Sequence, residues 1–459
     1  MATFFFCGIG GAGMSALALY LKHLGHVVLG SDRSFDMGQN DAMQQRLTDA
    51  GISLFPQNAL SISSRIDTFV VSGAVESSVP DLQKAQDLGL TIKSRASVLG
   101  EIFNTHFGVA VAGTSGKTTT TAMIGHILYE TQRSFAMING GISCNSYAGK
   151  SSSNFLYTGE DACVIEADES DGSIVNYLPD IGVLTNVSLD HKSLEEIRAL
   201  FRVFLDQSKH GTVMNLDDKV SLDLDIHRPN NITFSVSGNP EATLYVSNIH
   251  ESLDGCTFTL NNTEKVCLSM LGKYNIANAL AAVGACIHLG ISITESFKAL
   301  QSFRGLQRRM NCVGVVQGVH VFDDYAHNPA KIQAAIQALL PLSRRLFIVY
   351  QPHGFTPLHL TQNDLIQVLT NVLSDQTEWL MLPVYYVGGT AVKDISSADI
   401  VRPLQLRGKR AFAFDKRTDV LSYLHKRVCP GDVVVIMGAR DETLTDMAQK
   451  VVSMLNKGG

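Results

Sequence analysis

Residues Gly113-Thr114-Ser115-Gly116-Lys117-Thr118-Thr119 follow directly on the apolar run Phe107–Ala112. A buried strand, a glycine turn, Gly-Lys-Thr and then a helix is the arrangement that wraps nucleotide phosphates. Successive backbone N–H groups and a helix N-terminus face the anion, Lys117 neutralises charge between phosphates, and the Thr118 hydroxyl reaches Mg2+. The loop is shorter than the G-x-x-x-x-G-K-[ST] form, with Val111 where the first glycine would stand. Its strand–turn–helix setting points to a bound nucleoside triphosphate.

Two further apolar runs bring in the candidate metal ligands. Ala162–Ile165 ends in the carboxylates Glu166, Asp168, Glu169 and Asp171, and Ile181–Leu184 is followed by Asp190-His191. Parallel α/β sheets hold ligands at the carboxyl ends of their strands. Glu166 and His191 are therefore expected to point at the triphosphate loop and, with Thr118, to hold magnesium. A solvated acidic turn and a helix-capping histidine are the plainer readings of the same residues.

A second glycine turn, Gly8-Ile9-Gly10-Gly11-Ala12-Gly13, lies between the apolar run Phe4–Cys7 and a helix with Met14, Leu17, Leu21 and Leu24 at helical spacing. The strand Val27–Leu29 then leads to Asp32. This is the full G-x-G-x-x-G setting, which read alone suggests NAD and a dehydrogenase. Its physics promises only a diphosphate on the helix N-terminus and Asp32 near a ribose hydroxyl, and any nucleotide diphosphate meets that.

The elements that position these turns fall into three blocks, expected as domains over 1–100, 101–309 and 310–459, since 459 residues exceed what one core usually supports. Strands around Thr68–Val71 and Thr91–Ile92 complete a first small parallel sheet. Alternation of apolar residues from Ile232 to Met270 predicts antiparallel strands in a smaller satellite sheet beside the central one. A helix over Ile276–Leu289 begins at Lys273-Tyr274-Asn275, and Arg308 and Arg309 adjoin the last boundary. The third block repeats βα units. Val319–Phe322 leads into Asp323-Asp324-Tyr325-Ala326-His327-Asn328-Pro329, and Phe347–Tyr350 into Gln351-Pro352-His353-Gly354. Val433–Met437 leads into Gly438-Ala439-Arg440-Asp441, with Asp441 placed to cap a helix. The fold class is α/β throughout.

Composition narrows the partners. A net charge of −6 without a basic block argues against nucleic acid. No apolar run reaches membrane-spanning length, so no membrane insertion is expected. Eight scattered cysteines without a C-x-x-C pair, and a start lacking the basic residues of a signal peptide, fit a reduced cytoplasmic protein, monomer or homodimer. There is no G-x-S-x-G elbow and no cysteine with an evident partner, so nucleophilic catalysis is not indicated.

Taken in order along the whole chain, these motifs resemble the Mur ligase family, ATP-dependent amide-forming enzymes of peptidoglycan precursor synthesis. Gly8-Ile9-Gly10-Gly11-Ala12-Gly13-Met14-Ser15, Glu166-Ala167-Asp168-Glu169-Ser170-Asp171, Asp323-Asp324-Tyr325-Ala326-His327 and Gln351-Pro352-His353 are similar to the branch that joins L-alanine to UDP-N-acetylmuramate. The resemblance implies an N-terminal Rossmann-like UDP-sugar domain, a central P-loop ATPase-like domain with a parallel sheet plus a small antiparallel one, and a C-terminal Rossmann-like domain receiving the amino acid.

It also implies roles. Gly113, Thr114, Ser115, Gly116, Lys117, Thr118 and Thr119 would hold the phosphates of ATP, and Thr118, Glu166 and His191 would bind Mg2+. Asn275 and Asn278 would face adenine, Arg309 the phosphates and Asp324 the ribose, with His327 nearby. Lys117, Glu166, His191 and Arg309 would carry the catalysis. Gly8, Gly10, Gly11, Ala12, Gly13, Met14 and Ser15, with Asp32 and Ser72, would surround the UDP-sugar. His327, His353 and Arg440 would receive the amino acid.

The sequence departs from this branch, which usually has His at the positions of Ser115, Tyr274 and Asn328, and Arg where Gly354 stands. A carboxylate-binding arginine moved from position 354 to Arg440 is one way to reconcile the last. A recycling ligase that joins a preformed tripeptide to the same UDP-sugar, a ligase for another amine, and a non-catalytic nucleotide-gated binding protein remain open readings at this stage.

Overall fold

The computed structural model describes residues 1–147, 153–169, 172–187, 194–224, 230–386 and 392–457. The chain forms two compact units, one of Met1–His250 with Cys256–Arg304 and one of Gly305–Gly459 with Glu251–Gly255. Among the described residues no helix is long and apolar enough to cross a membrane.

The first unit holds two sheets. The N-terminal one is wholly parallel, in the order Ser53–Phe55, Val27–Ser31, Thr3–Cys7, Thr68–Val71, Ile92–Ser94. Phe5, Phe6 and Cys7 are fully buried, because both faces of a parallel sheet are covered. The helix Ala12–His23 starts where the glycine turn ends, and its row of Met14, Leu17 and Leu21 faces the core.

The second sheet carries the phosphate loop on its central strand, Gly108–Ala112, all five residues of which are buried. Parallel neighbours Cys163–Glu166 and Ile181–Leu184 flank it, followed outward by Ala136–Ile138 on one side and Gly211–Asn215 on the other. The strand Phe155–Tyr157 closes the first edge as an antiparallel hairpin partner.

The region 232–270 does not form strands of one kind. Asn231–Ser235 pairs parallel with Gly211–Asn215 and with Leu244–Ser252, prolonging the central sheet. Glu264–Leu268 pairs antiparallel with Gly255–Leu260, which in turn lies beside Leu244–Ser252 in the same sheet. Alternation reports one covered face and one wet face, which either pairing direction satisfies, so the pattern left direction undetermined.

Behind the phosphate loop runs the helix Lys117–Glu130, nearly all buried. At its centre His126 is fully enclosed, with Nδ1 3.2 Å from the Tyr147 hydroxyl and Nε2 3.1 Å from Ala299 O and 3.0 Å from Ser302 Oγ. Burial pushes its pKa down from 6.5 to about 4. The imidazole is thus neutral when folded, while the unfolded chain binds its proton from about pH 6.5 downward. The stability it allows is present above that pH and is lost as pH falls towards 4, by up to about 3 kcal/mol. Denaturant melts at pH 7.5 and 5 should show a smaller stability difference in His126→Gln than in the parent; equal differences would count against this origin.

The second unit is a six-stranded sheet in the order Asn311–Val316, Val319–Asp324, Val433–Gly438, Leu346–Gln351, Thr377–Met381, Ala411–Ala413. All neighbours are parallel except the first pair. The antiparallel edge strand Asn311–Val316 was not foreseen; Gly314 and a register shift at Cys312/Gly314 interrupt its alternation. Pro329 stands at the first turn of the helix Pro329–Leu339, and the Asn328 side chain caps it by accepting from Lys331 N at 2.9 Å. Asn is among the best N-cap residues, so Asn328 serves the helix start.

Candidate active site

The phosphate loop is held open by its neighbours. Thr114 N donates to Asn186 O at 3.0 Å, Ser115 N to Asn186 Oδ1 at 3.0 Å, and Asn186 Nδ2 and Thr185 Oγ1 return bonds to Ser115 O at 2.8 and 2.6 Å. Thr185 and Asn186 follow the strand Ile181–Leu184, so the adjacent strand end shapes the loop. Gly116 is left-handed at φ 89°, and a Cβ there would lie 2.3 Å from Asn278 Oδ1. Asn278 is buried, hydrogen-bonds Thr120 Oγ1 and Asn275, and so packs the loop from beneath. Asn275 in turn donates to Leu271 O at 2.7 Å.

At the start of the helix Lys117–Glu130, Lys117 Nζ donates to Gly113 O at 2.7 Å and to Glu169 Oε2 at 2.8 Å, with Asp168 4.0 Å away. The Lys117 and Glu169 side chains are 15 % and 8 % exposed, so this is a mostly buried ion pair. Thr118 Oγ1 donates to Glu166 Oε2 at 3.2 Å, while Gly140 N donates to Glu166 Oε1 at 2.6 Å. Ser115 is exposed, and the Thr114 and Thr119 side chains are buried. His191 lies outside the described residues. Glu169, within the acidic run that follows the strand Cys163–Glu166, is the partner of Lys117 that no motif marks.

The N-terminal glycine turn has Gly8 at φ 84°, with Gly8 N and Ile9 N on Ser31 O and a Gly8 Cβ position 3.2 Å from Ser72 Cβ. Asp32 braces the turn. Its Oδ2 accepts from Gly10 N at 2.8 Å, and its Oδ1 from Ser34 N at 2.9 Å and Ser34 Oγ at 2.6 Å. The expected ribose contact thus meets a carboxylate with both oxygens already on the chain, because Asp32 also caps the short helix Arg33–Asp36. The side chains of Met14 and Ser15 are 2 % and 0 % exposed, with Ser15 Oγ donating back to Ala12 O at 3.0 Å. Gly11, Ala12 and Gly13 are left to present the helix start, with the Arg95 side chain beside Gly13.

In the second unit the polar residues cluster at one strand edge. Arg309 and Arg308 both lie 5.2 Å from the centroid of the Tyr325 ring. Arg308 is buried, donates to Gly438 O at 2.5 Å and pairs with the fully buried Asp323, which is a structural arrangement. Arg309 is half-buried. Burial pushes the Asp324 carboxyl up to about 6, against the opposing pull of Arg309. His327 Nδ1 lies 2.9 Å from Tyr325 O, so it carries the proton and leaves Nε2 as acceptor. Burial lowers His327 to about 4 and also lowers His353, where Arg440 adds to the effect. The two rings meet edge to face at 5.1 Å.

Gly354 has φ 93° with no backbone within contact of a Cβ position, so conformation, not space, keeps larger residues out. Arg440 is exposed at φ 65°. Asp441 accepts from Thr443 N at 3.0 Å and pairs with Arg417, which also reaches Gln351.

Three family models cover the chain in series: the Mur ligase family catalytic domain over 3–107, the Mur ligase middle domain over 111–286 and the Mur ligase glutamate ligase domain over 308–440. The UDP-N-acetylmuramate--L-alanine ligase of Agrobacterium fabrum is 34 % identical over 458 residues, 95 % of this chain and 94 % of that one. This chain belongs to the Mur ligase family. The ligase is 31 % identical to the enzyme of the same name from Caldicellulosiruptor saccharolyticus over 96 % of both chains. Its fold matches that of the Thermotoga maritima UDP-N-acetylmuramate-alanine ligase with a TM-score of 0.81 over 100 % of both chains at 24 % identity. A murein peptide ligase from Psychrobacter arcticus matches with a TM-score of 0.69 over 99 % of both. As a Mur ligase it is an ATP-dependent enzyme that forms carbon–nitrogen bonds.

Proposed function

We propose that this Mur ligase joins L-alanine to the lactyl carboxylate of UDP-N-acetylmuramate, with ATP converted to ADP and phosphate. The observation that carries the reading is similarity at 31–34 % identity through about 95 % of the chain to enzymes of that name. A carboxylate and an ammonium form only a salt at neutral pH. Phosphorylation of the carboxylate makes an acyl phosphate, from which the free amine expels phosphate, so the protein must chiefly position groups and neutralise charge.

Lys117 and the N–H groups of the helix behind it serve the transferring phosphate. The paired oxygens of Thr118 and Glu166, 3.2 Å apart at that helix start, are hard donors that suit Mg2+. When bound, that ion offsets negative charge on the phosphate oxygens. Arg309 and Asp324 are assigned to ATP as well, and the glycine turn at Gly8–Gly13 to the UDP diphosphate. His327 and His353, both neutral at pH 7, offer nitrogen acceptors for the amine's protons, and Arg440 offers a cation for the amino-acid carboxylate.

The test is ATP- and Mg2+-dependent phosphate release with UDP-N-acetylmuramate and, separately, L-alanine, L-serine, glycine and the L-alanyl-γ-D-glutamyl-diaminopimelate tripeptide, with product mass as confirmation. Release with L-alanine alone is expected; release with the tripeptide alone would make it a recycling ligase. In the same assay Arg440→Ala should raise KM for L-alanine about tenfold or more while leaving KM for ATP within twofold. An unchanged KM for L-alanine would remove Arg440 from the amine site.

A further inference from the structure

Asn154 stands between the helix start at Ala12–Ser15 and the strand end at Asn139. Its side chain is fully buried, yet it lies in a polar stretch, Ser151–Asn154, with no motif. Nδ2 donates to Ala12 O at 2.7 Å and to Ser15 Oγ at 3.1 Å, both on the first turn of the helix that follows Gly8–Gly13. Oδ1 accepts from Arg46 Nη2 at 2.9 Å, and the same guanidinium reaches Ser153 Oγ. On its backbone side, Asn154 O accepts from Asn139 N at 2.9 Å, and the next residue, Gly140, donates to Glu166 Oε1 at 2.6 Å. Glu166 in turn holds Thr118. A continuous set of short contacts therefore runs from the phosphate-loop hydroxyl to the sugar-nucleotide helix. Around it, Tyr20 packs on Phe155 and His23 on Tyr157, leaving Asn154 as the polar centre of an aromatic seam.

We propose that Asn154 is a positioning residue for the ligase reaction: it fixes the helix start that carries the UDP-sugar against the strand end that carries Glu166, and so sets the line between acceptor carboxylate and transferring phosphate. It touches neither ligand. Phosphoryl transfer depends steeply on that line, because a misplacement of about 1 Å costs on the order of a hundredfold in rate. Each nucleotide site keeps its own residues when the seam loosens, so binding and turnover separate. The inference rests on the proposed function.

The experiment uses Asn154→Asp, which keeps size and the acceptor for Arg46 but removes both donors, Asn154→Ala, and the milder Ser15→Ala. Expected for Asn154→Asp and Asn154→Ala is a fall in kcat of at least thirtyfold, with Kd for UDP-N-acetylmuramate and for a non-hydrolysable ATP analogue, each measured alone, within threefold of the parent. Ser15→Ala should lose about fivefold in kcat with the same unchanged Kd values, and it decides the matter if the Asn154 variants do not fold. A kcat within threefold of the parent overturns the proposal, as does a loss confined to the Kd of one ligand. A parent enzyme that releases no phosphate with these substrates sinks the functional reading itself, and this inference with it.

Discussion

Lys117→Met is expected to lower kcat by about a thousandfold, the scale seen when one preorganised donor to developing charge is removed. The structure adds a complication that the motif does not show. Lys117 is the counter-ion of Glu169, whose side chain is only 8 % exposed. Removing the ammonium leaves that carboxylate buried and unpaired, at a cost of about 3 kcal/mol in stability. Loss of activity could then be loss of fold. Lys117→Met combined with Glu169→Gln separates the two: thermal stability should return most of the way to the parent while turnover stays about a thousandfold down. Recovery of turnover along with stability would show that Lys117 serves the fold and not the phosphate.

Gly116→Ala should raise the KM for ATP at least a hundredfold and leave the Kd for UDP-N-acetylmuramate unchanged. Two effects combine. At φ 89° an alanine is strained by about 1 kcal/mol or more. Its methyl would also sit 2.3 Å from Asn278 Oδ1, displacing the amide that connects Thr120 and Asn275 beneath the loop. Truncating the amide in the double variant Gly116→Ala with Asn278→Ala relieves the contact but not the strain, so part of the ATP affinity should return. A KM for ATP within threefold of the parent in the single variant would mean that the phosphates do not approach this turn.

The parts of the site that were legible in the sequence are those made by consecutive residues. Gly113–Thr119 reads as a phosphate turn because strand, glycine and helix start are neighbours in the chain, and Glu166 reads as a ligand because an apolar run stops at it. Lys117 with Glu169, Asn278 beneath Gly116, and Asn154 on Ala12 and Ser15 join residues 52, 162 and about 140 positions apart. No local pattern encodes such pairs. The burial of Ser15 is not announced by the row of Met14, Leu17 and Leu21, because the helix is covered on every side from Met14 to Leu21. Strand direction over Asn231–Ser252 was beyond reach for a different reason, since burial alternates alike in both pairings.

Asp32 bears on which nucleotides the Gly8–Gly13 turn receives. Nicotinamide dinucleotides share with UDP-sugars a diphosphate that would fit the Gly8–Gly13 turn, and their adenosine ribose is ordinarily recognised by an acid at this place. Here that acid is spent internally on Gly10 and Ser34. A dinucleotide ribose placed at this turn would share Asp32 with three donors of the chain itself, a weaker reception than an unengaged acid would give.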